Sequence, residues 1–165
     1  QLGITIEPEE TGTTFAENAL IKAETICRAC GLPTIADDSG LMVDALDGAP
    51  GVYSARYAGE ETPYPEKISR LLGELEGVPE ERRTARFVAH ICYIGADGAR
   101  IDAEGTCEGK IGWEPRGDGG FGDDPIFYVG DRSFAELSAE EKDAVSHRGK
   151  ALRELARKLN EHQNG

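Results

Sequence analysis

Positive charge is scarce in this chain. Eighteen Lys and Arg residues stand against 31 Asp and Glu, a formal net charge of −13. A nucleic-acid backbone is bound through basic surface, so that class of partner is not expected. A small polyanion remains compatible, provided a divalent cation and a few placed Lys or Arg side chains offset the repulsion. Long hydrophobic runs are absent as well. No apolar stretch reaches the roughly 20 residues of a membrane-spanning helix, and the first residues carry no secretory signal. We therefore expect a cytoplasmic protein. Cysteine is sparse, with four in all. Cys27 and Cys30 form a CxxC, but there is no second CxxC and no nearby His, which argues against zinc. The pair closes a predicted helix, whereas thioredoxin-like pairs open one, so free thiols are expected. Two phosphotransfer signatures are missing: there is no GxxxxGK[ST] loop, and Ser39 stands where an aspartyl-phosphate DxD would place its second Asp.

What is present reads as one globular domain over residues 1–165. The 39% hydrophobic and 30% charged content suits a core of ordinary size. The spacing predicts a helix over Thr14–Cys30, with Thr14 and Glu17 as capping box, Phe15, Ala19, Ala23 and Ile26 as its apolar face, and Gly31 with Pro33 as its stop. Thr34–Ala36 reads as a short buried strand and Leu41–Val43 as a second extended piece. Asp47–Gly59 is a Gly- and Pro-rich loop, and Pro65–Leu75 a helix. Ala85–Ile94, apolar on both faces, predicts a central strand. Asp97-Gly98 is a hairpin signal, and Arg100–Lys110 is the returning strand. Gly117–Pro125 is a glycine-rich loop before a strand at Ile126–Val129. Ser138 with Glu141, then Ser146, cap two further helices, the last with Ala151, Leu152, Leu155 and Leu159 as its stripe. The fold class expected is α/β: a mixed, twisted sheet flanked by helices, with a substrate cleft at strand ends.

Three stretches carry chemistry. In "TIADDSGLMV", Asp37 and Asp38 are adjacent like charges placed before a Gly. Such a pair is either a solvated turn or a site that uses negative charge, since carboxylates are the preferred ligands of Mg²⁺ and can orient or deprotonate a water. Upstream, Glu7, Glu9 and Glu10 form a second acidic cluster. In "RGDGGFGDDPIF", Phe121 among glycines either stacks on a base or tucks into the core. In "SHRG", Ser146 as N-cap puts His147 and Arg148 at a helix N-terminus, where anions are favoured; the alternative is an ordinary solvated helix start. His90, within a strand, reads as a satisfied core residue and His162 as tail.

Taken in order, "EETGTTFAENALIKA", "ADDSGLMVDALDGAPGVYSARYAG", "GGFGDDPIF" and "SHRGKAL" resemble the successive motifs of the non-canonical purine NTP pyrophosphatases (XTP/dITP diphosphatases, or ITPases). The resemblance covers nearly the whole chain. It implies a Mg²⁺-dependent, homodimeric enzyme that cleaves ITP, dITP and XTP between the α and β phosphates, giving the monophosphate and pyrophosphate. Carried over residue by residue, it implies Asp38 as proton acceptor and metal ligand. Glu9 or Glu10 would be the other metal ligand, with Glu9 preferred. Ser39 would contact substrate, and Phe121, Gly122, Asp123 and Asp124 would form the base-binding loop. Lys142, His147 and Arg148 would make further substrate contacts. Asp37 receives no more than the orientation of neighbours through hydrogen bonds.

Two features depart from the pattern. The family loop normally carries an aromatic residue where this chain has Asp123. The family also opens with a strand, a TGNxGK-like phosphate loop and a helix, roughly 25–30 residues by ordinary element lengths. Here "QLGITIEPEE" already reads as interior sequence, so a fragment is expected. Two other functions compete: a catalytically inactive nucleotide-binding module, and a related pyrophosphatase for modified pyrimidine nucleotides.

Overall fold

The computed structural model describes residues 12–59 and 61–164. The first described helix, α1 (Phe15–Cys30), begins where its sequence says it should. Thr14 is extended, and its side-chain oxygen accepts the Glu17 N–H at 3.1 Å. The Glu17 carboxylate reaches back to the N–H of Thr13, one residue earlier than a capping box would place it. Gly31 ends the helix in the left-handed conformation. Cys27 and Cys30 lie in its last turn as free thiols.

Strand β1 (Thr34–Val43) follows, and here the sequence expectation is corrected. Two short pieces separated by a turn were expected; one strand of ten residues is found. Asp37, Asp38 and Ser39 lie in mid-strand rather than at a carboxyl end. The cause is pairing: β1 runs antiparallel to β2 (Thr84–Ile94) from Thr34↔Ile94 to Val43↔Ala85 without a break. β2 then pairs along its whole length with β3 (Arg100–Ile111). The Asp97-Gly98 hairpin is as expected, with Gly98 at positive φ. Short strands β4 (Phe127–Val129) and β5 (Arg132–Ser133) complete the order β1-β2-β3-β4-β5. Among the described residues every pairing is antiparallel, so the sheet is not mixed as expected. Helices α2 (Tyr64–Glu74), α3 (Ala139–Val145) and α4 (His147–Asn164) flank it. No helix among the described residues is long and apolar enough to cross a membrane.

Strand periodicity assigns the two faces. On one face Ala36 and Cys92 meet Ala19 and Ala23 of α1. On the other, Ala89, Ile91 and Ala103 meet Ala151 and Leu155 of α4, with Leu159 packed at the edge. Further along that second face, Leu41, Val43, Phe87, Cys107 and Ile111 join Ile68, Leu71 and Leu75 of α2, together with Phe127 and Phe134. Leu152, expected in the stripe of α4, is 52% exposed instead. His90 is half-buried, its Nε2 2.9 Å from Asp102 Oδ1, a satisfied pair as expected. His162 lies exposed in the last turn of α4.

The seating of α4 has a sharp steric requirement. A Cβ added to Gly105 would lie 2.1 Å from the His147 carbonyl oxygen and 2.6 Å from the Ala151 nitrogen, both backbone atoms. Only glycine lets β3 and the first turn of α4 approach so closely. Gly105→Ala is therefore expected to destabilise by about 1–3 kcal/mol, the range for overpacking a close-packed interior. Gly73→Ala, in α2 with nothing within 4 Å of the added carbon, is expected to be neutral or to stabilise by up to about 1 kcal/mol. Urea unfolding of the two variants checks both signs; equal midpoints would contradict the packing argument.

Candidate active site

Alternation along β1 sends Asp38 to the α1 face and Asp37 and Ser39 to the α4 face. Asp38 is buried, with 7% of its surface exposed. Its two oxygens are held from α1: Asn18 Nδ2 donates to Oδ2 at 3.3 Å, and Lys22 Nζ lies 3.4 Å from Oδ1. Asn18 is itself fixed, accepting the Gly12 N–H at 2.8 Å. Lys22 also donates to the Asp37 carbonyl oxygen at 3.0 Å. Sequence reasoning missed Asn18 and Lys22. The available signal was their spacing, one helical turn apart and next to the buried Ala19 and Ala23.

Across the strand, Arg148 Nη2 donates to Ser39 Oγ at 3.1 Å, and Arg148 Nε lies 3.5 Å from Asp37 Oδ2. The Arg148 guanidinium also stands 5.5 Å from the centroid of Phe121. That ring is 64% exposed, so of its two expected fates it did not enter the core. Lys142 Nζ lies 4.0 Å from the same ring and forms an ion pair with Asp124 at 2.5 Å. Asp124, 2% exposed, also accepts the Phe121 N–H at 2.9 Å. This fold-back needs Gly120: at φ +70, an added Cβ there would lie 2.2 Å from the Asp124 carboxylate. One chain of contacts thus joins Ser39, Arg148, Phe121, Lys142 and Asp124.

The other candidates stand elsewhere. Gly122 passes beside the Tyr64 ring, 3.5 Å from where a Cβ would be. Asp123 is partly buried and feels Asp124 and Lys67, while its own charge reaches Tyr57 and Tyr64. His147 is buried and stacks on Phe87 at 4.7 Å, with its Nδ1 unpartnered among the described residues. Burial, aided by the charges of Arg148 and Lys142, lowers its imidazole to about 3, so it is neutral near pH 7. Glu9 and Glu10 lie outside the described residues. A cavity of about 910 Å³ is lined by Trp113, Tyr128, Lys110 and Arg116 among others; it holds none of these residues.

Comparison with known proteins shows the family and the fold. The sequence matches the Ham1 family over residues 1–158. It is 54% identical over 149 residues to the dITP/XTP pyrophosphatase of Halalkalibacterium halodurans, covering 89% of this chain and 77% of that protein. It is 53% identical to the dITP/XTP pyrophosphatase of Bacillus licheniformis, covering 97% and 83% respectively. Among solved structures, the Staphylococcus aureus Ham1 protein superposes with a TM-score of 0.90 at 44% identity, over 96% of this chain and 82% of that one. A HAM1 protein from Coxiella burnetii gives 0.88 at 47% identity, over 94% and 81%.

The loop also generates a pH prediction. Burial, and secondly the charge of Asp124, push the Asp123 carboxyl up to about 6, with Lys67 opposing. Between its ordinary range and pH 6 the folded protein therefore holds a proton that the unfolded chain has released. The stability this confers is complete below about pH 4 and lost as pH rises through 6. At about 1.4 kcal/mol per pKa unit, the rise from 3.8 to about 6 makes Asp123→Asn more stable than the parent at pH 8 by up to about 3 kcal/mol. The gain should shrink towards zero at pH 4. Urea unfolding at the two pH values measures it.

Proposed function

The chain belongs to the Ham1 family, and on that premise we propose that it is a nucleoside triphosphate diphosphatase acting on non-canonical purine nucleotides: dITP, XTP and ITP. One observation carries the reading. Asp38 and Ser39, neighbours in β1, join an acidic centre held by Lys22 to the Arg148–Phe121–Lys142–Asp124 cluster. A lysine-held carboxylate on one face of β1, one residue from a serine that binds the arginine of an aromatic and cationic cluster on the other face, suits a nucleotide whose phosphates react while its base is read.

In the proposed reaction a water attacks the α-phosphorus, and the bond from that phosphorus to the α–β bridging oxygen breaks. Nucleoside monophosphate and pyrophosphate result. Asp38 accepts the proton of the attacking water. Asn18 and Lys22 keep its carboxylate in one orientation, and Lys22 offsets its charge. Lys142 and Arg148 contribute positive charge and donors to the bound substrate, and such chemistry acts mainly by positioning and charge neutralisation. Donors directed at a 6-oxo group would leave the 6-amino group of adenine mismatched, which supports selectivity against ATP. The exposed Phe121 ring supplies a stacking surface for the base.

Mg²⁺ is part of the proposal. Among the described residues no three His, Cys, Asp or Glu side chains cluster as a metal cage. The ion needs none, since it typically takes one or two protein carboxylates and fills its shell with substrate phosphates and water. The hard oxygen donors of Asp38 fit that pattern, with Glu9 or Glu10 proposed as the second carboxylate. When bound, the ion would neutralise phosphate charge. We also propose that the protein works as a homodimer in the cytoplasm, which sedimentation and fractionation test.

The decisive experiment is pyrophosphate release from dITP, XTP and ITP, with and without Mg²⁺, against ATP and GTP. Mg²⁺-dependent release from the first three, with little from ATP, is expected. Tight binding without release would favour the inactive-module reading, and preference for modified pyrimidine substrates would favour the third. Asp38→Asn is expected to lower kcat by at least about 100-fold, the lower range for a general base, with the far-UV circular dichroism unchanged. Retained turnover would remove Asp38 from its role.

A further inference from the structure

The role of Asp37 rests on three facts of placement. It shares a face of β1 with Ser39, two residues on, because strand side chains alternate. Both side chains converge on the guanidinium of Arg148, Asp37 Oδ2 at 3.5 Å from Nε and Ser39 Oγ at 3.1 Å from Nη2. The Phe121 ring adds a third contact at 5.5 Å. Arg148 is thus held by two side chains of β1 and by the base loop, although it springs from the first turn of α4.

An exposed ion pair of this kind adds little to global stability; the Arg148 and Asp37 side chains are 47% and 46% exposed. Its effect is on position. An arginine with no fixed neighbours samples many rotamers and must be ordered when substrate binds, which weakens binding. The planar fork loses less per bond when it is already aligned. Asp37 is the only one of the three contacts that carries a charge, so it sets the orientation of the Nε edge. Asp38, on the opposite face, has Lys22 for the corresponding partner.

We propose that Asp37 is a positioning residue for Arg148, pre-ordering its guanidinium for the substrate and taking no part in the chemical step. This rests on the proposed nucleotide-hydrolysing function. The backbone of Asp37 contributes independently, its carbonyl accepting Lys22 Nζ at 3.0 Å. That contact survives substitution of the side chain, so the proposal concerns the carboxylate alone.

The test is steady-state kinetics with dITP. Asp37→Ala should raise KM about 3–5-fold, the factor equivalent to a good exposed ion pair, and leave kcat within about twofold. Asp37→Glu, which keeps the charge, should recover at least half of the loss. Asp37→Ala combined with Arg148→Ala should be no worse than Arg148→Ala alone, since the two residues act as one unit. A general folding defect would not give this split, this rescue or this non-additivity. The proposal is overturned by an unchanged or lowered KM, by a kcat loss comparable to that of Asp38→Asn, or by additive effects in the double variant. Turnover of the parent protein is measured first. If it is absent, the proposed function fails, and the same 3–5-fold comparison is made on dITP binding by calorimetry in Mg²⁺. Equal affinities there, or no binding by the parent, overturn the positioning role.

Discussion

The alternation of side chains along β1 is the constraint on which the rest of the site depends. Two adjacent aspartates would repel if they shared a face. In a strand they cannot share one, and here each meets its own cation: Asp38 meets Lys22 from α1, and Asp37 meets Arg148 from α4. Because the sheet is covered by α1 on one side and α4 on the other, a single strand ties both helices to neighbouring residues. A one-residue slip of β1 against β2 would exchange the faces and pair each aspartate with the wrong helix.

The same economy governs charge. In a chain of net charge −13, three cations of the site are each tied to a carboxylate: Lys22 to Asp38, Lys142 to Asp124, Arg148 to Asp37. These pairs are not primarily a source of stability, since the exposed one is weak and the more buried ones have a desolvation cost to offset. What they provide is order. In the proposed function a polyanionic nucleotide would meet cations already in place, and the close approach of β3 to α4 at Gly105 holds the helix that carries one of them.

The loop Gly117–Pro125 shows how one acidic residue differs from the next. Asp124 is buried but paired with Lys142 and bonded to the Phe121 N–H. Asp123 is partly buried, and burial, with the charge of Asp124 added and Lys67 opposing, raises its carboxyl above the usual carboxylate range. The place where the family normally has an aromatic residue is thus filled by a group whose charge depends on pH. Its neighbours include Tyr57 and Tyr64.

Local chemistry was readable from the residues alone. Thr14, Ser138 and Ser146 satisfy orphan helix N–H groups through bonds made within a few residues, and Asp97-Gly98 turns a hairpin by its own backbone preference. The four motifs in order were enough to indicate the family. The continuity of β1 was not readable, because Asp-Asp-Ser-Gly carries turn chemistry locally, and only pairing with β2 holds it extended. Nor could the sequence show that Asn18 and Lys22 hold Asp38, that Leu152 faces solvent, or that Asp123 and Asp124 part company. Each of these depends on which surface another segment covers. Capping and turns are set by neighbours in the chain; partners, burial and the sign of a pKa shift are set by neighbours in space, and here tertiary packing alone supplied them.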